Sequence, residues 1–347
     1  CLFLLSPNVV LSETVKYEDL VTRKGLYYQK SSDVPFTGTS KGKKQGKIKK
    51  GKWDGPWVGY WKNGQVRYKG TYKDGKRDGP WVEYHDNGKV WRKGTYKDGK
   101  KESPWVEYHY NGQLEFKGTY KDGKREGPWV GYWENGQLRT KGTYKDGKRE
   151  GPGVTYHDNG ELWRKGTYKN GKKHGPWVSY HDNGQLEEKG NYKDGKKESP
   201  WVSYHENGEL YFKGGTYKDG KEDGPWVYYH DNGKVKEKGT YKDGIKHGPW
   251  ESYYKNGLLE TKGNYKDGNE EGPYVGYYDN GQLRSKGNYK DGEPHGPSVT
   301  YHGNGQLESK GNFEDGKQDG PWVIFKSDGT VNKKWTGTYK NGKKISD

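Results

Sequence analysis

Proline stands at positions 56, 80, 104, 128, 152, 176, 200, 225, 249, 273, 297 and 321, a spacing of 24 broken once, where Gly214-Gly215 adds a residue. A period of this size means that no segment owns a core. Each unit is one supersecondary element, stable only when it buries a face against its neighbours. A representative unit, Gly79 to Glu102, reads GPWVEYHDNGKVWRKGTYKDGKKE. Short runs rich in Val, Tyr and Trp between Asn-Gly and Asp-Gly steps are strand and turn signals. The unit is therefore expected to run as a strand from Trp81 to His85, a turn at Asp86-Asn87-Gly88 and a second strand from Lys89 to Tyr96. A return through Lys97-Asp98-Gly99 then ends at the next proline.

The turn type decides which side chains share a face. A two-residue Asn-Gly loop would pair Tyr84 with Trp91, whereas a type I turn closed by Gly88 in the left-handed region pairs Tyr84 with Val90. A slip of one register moves every side chain to the other face. The three-residue loop gathers Val82, Tyr84, Val90, Gly94 and Tyr96 on one face, where the Val82 position is valine in eleven of twelve units, Glu251 being the exception. That face is expected to stack as an apolar ridge, with Gly88 in the turn and tyrosine rings lying across Gly94. The Trp57 position, tryptophan in nine units, is assigned to packing over the Gly-Pro step. The fold class expected is all-β: an elongated, twisted, single-layer antiparallel β-sheet solenoid of about twelve 24-residue hairpin repeats.

Composition separates such a sheet from a disordered chain. Only 27% of residues are hydrophobic and 57 are glycine, but 32 Tyr and 15 Trp at regular positions do not belong to an unfolded sequence. The net charge of +16 has its signs interspersed, which keeps sheet edges soluble and also attracts anions.

Residues 1–12, CLFLLSPNVVLS, are the one apolar run and read as the remnant of a secretory signal peptide ending near Ser12. A lipid-modified Cys1 and a buried first strand are the other readings. Residues 13–55 are expected to form a cap with a degenerate repeat, 56–342 the array and 343–347 a tail, with Lys343 and Lys344 guarding the last edge. The extra residue at Gly214-Gly215 reads as a β-bulge or a local kink. The location expected is outside the cytoplasm: periplasmic, envelope-associated or secreted.

Seven of the ten histidines (His85, His109, His157, His181, His205, His230 and His302) occupy one repeat position, which elsewhere holds Trp61, Trp133, Tyr254 and Tyr278. A position that exchanges His for Trp selects a flat amphipathic ring, whereas zinc needs a closed and unique ligand set. His174, His247 and His295 fall in return turns. Carboxylates such as Asp74, Asp98 and Asp122 precede turn glycines and cap their own backbone. Acid–base catalysis calls for a single desolvated environment that a residue repeated in exposed turns does not offer. No nucleophile elbow or phosphate-binding glycine motif is present. The expectation is no catalytic residue, no metal and no cofactor. The candidate binding surface is a ladder of Lys69, Lys93, Lys117, Lys141, Lys165 and Lys189 with outward Trp91, Trp163 and Tyr211 beside it.

The pattern of an aromatic, Tyr, NG, an aliphatic, KGxY, KDG and GPW resembles the MORN-variant repeat of bacterial proteins in the YwqK-type antitoxin-component family of toxin–antitoxin systems, over roughly residues 50 to 342. The stretch ETVKYEDLVTRKGLYY, with VPFTG after it, is similar to the leader of secreted or surface members. The resemblance implies an antiparallel β-repeat, a protein-interaction role and, in the wider group, membrane association and dimer formation. It carries over the repeat glycines, Tyr72 and Tyr96 as structural residues. The functional expectation is a non-enzymatic scaffold for a protein partner, antitoxin-like in the family's sense. The alternative is binding of an anionic membrane surface, lipid or polyanion through the lysine ladder. Specific nucleic-acid binding is not expected, and self-association stays open.

Overall fold

The computed structural model describes residues 13–347; the segment 1–12, with the signal-peptide and Cys1 readings, lies outside the described residues. The described residues divide into two compact units, one running up to Leu162 together with Tyr168–Gly171, the other Trp163–Thr167 with Lys172–Asp347. Within each unit the array is an antiparallel meander of one layer, every strand bonded to its neighbours in sequence. In the first unit, Thr14–Lys16 runs parallel to Gly38–Lys41, which pairs with Lys44–Lys49 and leads into the repeats. Leu20–Arg23 and Leu26–Gln29 form a separate hairpin. The second unit ends on Gly337–Lys340 paired with Lys343–Ser346, so Lys343 and Lys344 lie in the last strand.

One repeat consists of Lys76–Tyr84 and Val90–Lys97. Its wider turn is the expected three-residue loop: the His85 N–H donates to Lys89 O at 2.8 Å, and Gly88 sits at φ +82°. The return is shorter than expected. Lys97 pairs directly with Lys100, and Asp98 (φ +49°) and Gly99 (φ +83°) alone close the hairpin, both in the positive region that a type I′ turn requires. The Gly-Pro step is thus inside a strand and not in a turn. Gly79 takes φ +102°, and the register with the preceding strand slips between Gly70 and Tyr72. Proline has no N–H for the ladder, and a bulge is one of the places a sheet tolerates it.

A second slip overturns the expected faces. Tyr84 pairs with Val90, as the turn demands, but Glu83 then pairs with Arg92, leaving Trp91 as the extra residue of a β-bulge. Beyond it Val82 faces Lys93 and Trp81 faces Gly94. The single ridge of Val82, Tyr84, Val90, Gly94 and Tyr96 does not exist: Val82, Tyr84 and Val90 share the lysine side, while Gly94 and Tyr96 lie on the tryptophan side.

The core is on that tryptophan side. Trp57, Trp81, Trp105, Trp201 and Trp226 expose 2% or less of their surface. Each ring lies flat on a glycine of the preceding strand, Trp57 on Gly46, Trp105 on Gly94 and Trp201 on Gly190, where any Cβ would enter the ring. The ring over Gly94 is therefore a tryptophan and not a tyrosine, and the Trp57 position packs on a glycine rather than over Gly-Pro. Tyrosines fill the gaps edge-on: Trp81–Tyr96, Tyr96–Trp105, Trp105–Tyr120 and Tyr120–Trp129 have centroids 5.6, 5.1, 6.2 and 5.1 Å apart. The same series runs from Trp177 to Tyr265 in the second unit. Edge-to-face pairs contribute about 0.5–1.5 kcal/mol each beyond burial.

The exceptions behave as this contact requires. Gly153 replaces a tryptophan, and nothing comes nearer to a Cβ on Gly142 than Arg149 Nε at 3.8 Å. Where Tyr274 and Ser298 stand, the nine-residue strand splits into Asn269–Glu270 with Gly272–Tyr277, and Glu293–Pro294 with Gly296–Tyr301. Gly214-Gly215 is the expected bulge, with φ of +96° and +65°, and Trp226 rests on Gly215. Gly94→Ala is expected to destabilise the folded chain by about 2 kcal/mol or more through overpacking. Gly142→Ala, with open space above it, is expected to stay within about 0.5 kcal/mol. Denaturant unfolding of both variants measures the difference.

Candidate binding faces

The tryptophan face carries a row of cations that sequence reasoning missed. Arg77, Lys101, Arg125, Lys197 and Lys246 sit over Trp81, Trp105, Trp129, Trp201 and Trp250 at 4.2, 4.2, 4.3, 4.0 and 3.9 Å from the ring centroids. The signal was available: each stands four residues before its tryptophan, across the Gly-Pro bulge. Arg77 Nη1 donates to Tyr96 Oη at 2.9 Å. Carboxylates answer several of these cations: Glu83 lies 3.7 Å from Arg77 and also accepts from Arg92 Nε at 2.8 Å, Glu107 lies 3.3 Å from Lys101, and Glu188 lies 2.9 Å from Lys197. Burial pushes the Tyr68 and Tyr217 phenols well above their ordinary range and carries Tyr265 up to about 12. These hydroxyls thus remain neutral and able to donate.

The opposite face bears the lysine ladder. Lys69, Lys93, Lys117, Lys141, Lys165 and Lys189 are all exposed. Lys93 stands between Val82 and Val106, and Lys117 between Val106 and Val130. The aromatics expected beside them are on the other side of the sheet, because the bulge at Trp91 turns its neighbours over. Trp91 packs on the Arg92 guanidinium (4.3 Å) and Trp163 on that of Arg164 (4.2 Å). Tyr211 packs on Phe212 and Tyr228 at 5.9 and 6.1 Å, and Phe212 in turn lies against Trp226. The structure therefore brings the lysines together with valine and tyrosine, and separates them from Trp91, Trp163 and Tyr211.

One acidic residue already sits on the lysine face. Glu251, at the valine position, accepts from Tyr253 Oη at 2.6 Å and pairs with Lys238 and Lys262 at 2.9 and 3.0 Å. The tyrosine hydrogen bond and then the two lysines hold its carboxyl down at about 2. Nearby, Pro273, Pro297, Val275 and Val299 line an open groove of ≈ 570 Å³ flanked by Lys262 and Lys286. A depressed pKa stabilises the fold above the unfolded value of about 4.3, and this contribution is lost as pH falls towards 2. The stability difference between the native chain and Glu251→Gln is expected to shrink over that window in acid titrations followed by denaturant melts.

The edge formed by the wider turns explains the interchange of His, Trp and Tyr. The Nε2 of His85, His109 and His230 meets the carbonyls of Tyr108, Tyr132 and Tyr253 in the next repeat at 3.2, 3.0 and 2.8 Å. Trp61 and Trp133 donate their indole N–H to the equivalent carbonyls of Tyr84 and Tyr156, and Tyr254 its hydroxyl to that of Tyr277. Turn asparagines do the same one step further out, Asn63 to Asp86 O and Asn87 to Tyr110 O at 2.8 and 3.0 Å. His109→Trp is expected to be nearly neutral, and His109→Leu to cost about 1 kcal/mol for the orphaned carbonyl, both read from melting curves. Among the described residues, His295, Glu314 and Asp315 bring their ligand atoms within 4.8 Å of one another, but both carboxylates are exposed, Glu314 at the end of a strand and Asp315 in the turn after it.

The family model of the MORN repeat variant matches residues 53–74, 77–98, 101–122, 125–146, 149–170, 173–194, 197–219, 222–243, 246–267, 270–291 and 294–315. No curated protein matches the chain. Among solved structures, it is similar to TcdB2-TccC3-Cdc42 (13% identity, TM-score 0.17, covering 83% of this chain and 17% of that one). It is also similar to TcdB2-TccC3 (13%, TM-score 0.16, covering 83% and 19%). A third is the Photorhabdus luminescens Tc holotoxin pore with the mutation TccC3-D651A (11%, TM-score 0.17, covering 83% and 19%). The chain spans less than a fifth of the length of these proteins, and superpositions of this quality carry no argument. MORN repeats generally serve as scaffolds that bind partner proteins or membranes. Matched along well over half of its length, the chain belongs to the MORN repeat variant family.

Proposed function

We propose that this chain is a non-catalytic scaffold outside the cytoplasm whose valine–lysine face docks an acidic segment of a protein partner. The observation that supports this reading is Glu251, a carboxylate held on that face by Lys238, Lys262 and Tyr253. Most other repeats offer the same lysines and tyrosine around a valine, so an incoming acidic chain finds at each repeat a cation pair beside an apolar contact. Many weak contacts at a fixed spacing add up through effective concentration. A toxin as the partner rests on the resemblance to the antitoxin-component family.

The exposed lysine row also favours a second reading, binding to an anionic lipid surface. The two differ in what must be buried. A peptide uses the Pro273–Val275 groove as well as charge, whereas a lipid surface uses charge and loses affinity steeply as salt releases the advantage. The test is binding of the whole chain to an alternating Glu-Val peptide and to phosphatidylserine vesicles, each over a salt series. Peptide binding that weakens in a Lys117→Gln/Lys141→Gln variant and retains affinity at high salt supports the scaffold. Vesicle binding alone, abolished by salt, moves the assignment to lipid, and no binding to either contradicts both.

A further inference from the structure

On the tryptophan face, the position of Glu83 is covered in one repeat after another. Glu83 and Glu107 place their own carboxylates there, against Arg92 and Lys101. Gly59 and Gly131 lie beneath the rings of Tyr68 and Phe116. Ser179 breaks this rule. It is nine-tenths buried, yet a hollow of ≈ 160 Å³ stands over it, walled by Trp163, Trp177 and Trp201.

Three groups facing this hollow lack the partner their equivalents have. Ser179 Oγ and Arg164 Nε are buried and make no hydrogen bond among the described residues. Lys173 bears the same relation to Ser179 as Lys101 bears to Glu107. Lys101, Lys197 and Lys246 each pair with a glutamate, Glu107, Glu188 and Glu237, whereas among the described residues Lys173 has a hydrogen bond only to the Tyr192 hydroxyl, at 3.3 Å. Burial, and then the charge of Arg164, lower the Lys173 pKa, as expected for a cation short of an anion. Glu188 also lines the hollow but is held by Lys197 at 2.9 Å.

We propose that the hollow over Ser179 binds a carboxylate, which accepts hydrogen bonds from Ser179 Oγ and Arg164 Nε and pairs with Lys173, while its organic body lies against Trp163 and Trp177. The ligand supplies the group that Glu107 supplies within the chain. A cavity of about 150 Å³ admits a six-membered ring, so the body can be an aromatic or short aliphatic acid. The same chemistry is offered by a glutamate side chain of a partner. Glu187, also on the wall, opposes the bound charge and limits affinity.

The experiment is ligand-observed NMR on the full chain with benzoate, propionate and N-acetylglutamate N-methylamide, each against its neutral amide. The result expected is binding of at least one acid and not of its amide. Ser179→Glu builds in the missing carboxylate, and is expected to raise the melting temperature and weaken binding by about tenfold or more. Glu187→Gln is expected to tighten binding several-fold, and it serves as the deciding variant should Ser179→Glu not fold. Binding of the free acids alone identifies a small-molecule ligand, and binding of the capped glutamate identifies a partner side chain. Equal behaviour of acids and amides overturns the proposal, as does binding that survives Ser179→Glu in a folded chain or stays unchanged in Glu187→Gln.

Discussion

Everything in this sheet depends on an indole ring lying on a strand that has no side chain beneath it. A single-layer meander has no second layer to bury its apolar groups, so it must make its core from side chains lying down on neighbouring backbone. Glycine at the Gly94 position lowers the floor by one Cβ, and tryptophan covers it with the largest flat apolar surface available. The indole also disposes of its own polar atom. Trp105 Nε1 donates to Thr95 O and Trp129 Nε1 to Thr119 O at 3.1 and 3.2 Å, the carbonyl next to the glycine that each ring covers. Phenylalanine would bring no donor to that carbonyl. This is how a chain with 27% hydrophobic residues holds an ordered sheet.

The other features arrange themselves around that contact. The bulge before the proline lets the cation four residues before most of the tryptophans return over the ring's outer surface, so these rings have backbone below and a guanidinium or ammonium above. Tyrosines between the rings accept hydrogen bonds from some of those cations, Tyr96 from Arg77 and Tyr144 from Arg125. The turns at one edge are tied by His, Trp, Tyr and Asn reaching a carbonyl of the next repeat, which connects hairpins whose loops share no strand pairing. Function is left to what this packing does not use: the valine–lysine side, and the hollow above Ser179.

Much of this was legible in the sequence. The period, the antiparallel hairpins, the type I loop closed by Gly88, the bulge at Gly214-Gly215 and the exchange of histidine for other flat rings all follow from local chemistry. The sidedness did not. Register was read outward from a correctly assigned turn, and a single extra residue at Trp91 reversed everything beyond it. Placing the tryptophans against Gly-Pro had the same origin, since proline was taken for a turn when it occupies a bulge. Because the lysine row and Trp91, Trp163 and Tyr211 were assigned to one face from that register, the candidate surface joined residues that the sheet separates. The pairing of tryptophan with glycine eleven positions earlier was visible throughout the repeats and would have corrected the register.

The most direct test of the account is hydrogen exchange of the intact chain, resolved repeat by repeat by mass spectrometry. If indole on glycine is what holds each strand, amides in Gly272–Tyr277 and Gly296–Tyr301, where Tyr274 and Ser298 replace tryptophan, exchange well before those in Lys76–Tyr84 and Lys100–Tyr108. Equal protection in all four strands, or slowest exchange where the tryptophan is missing, would contradict it.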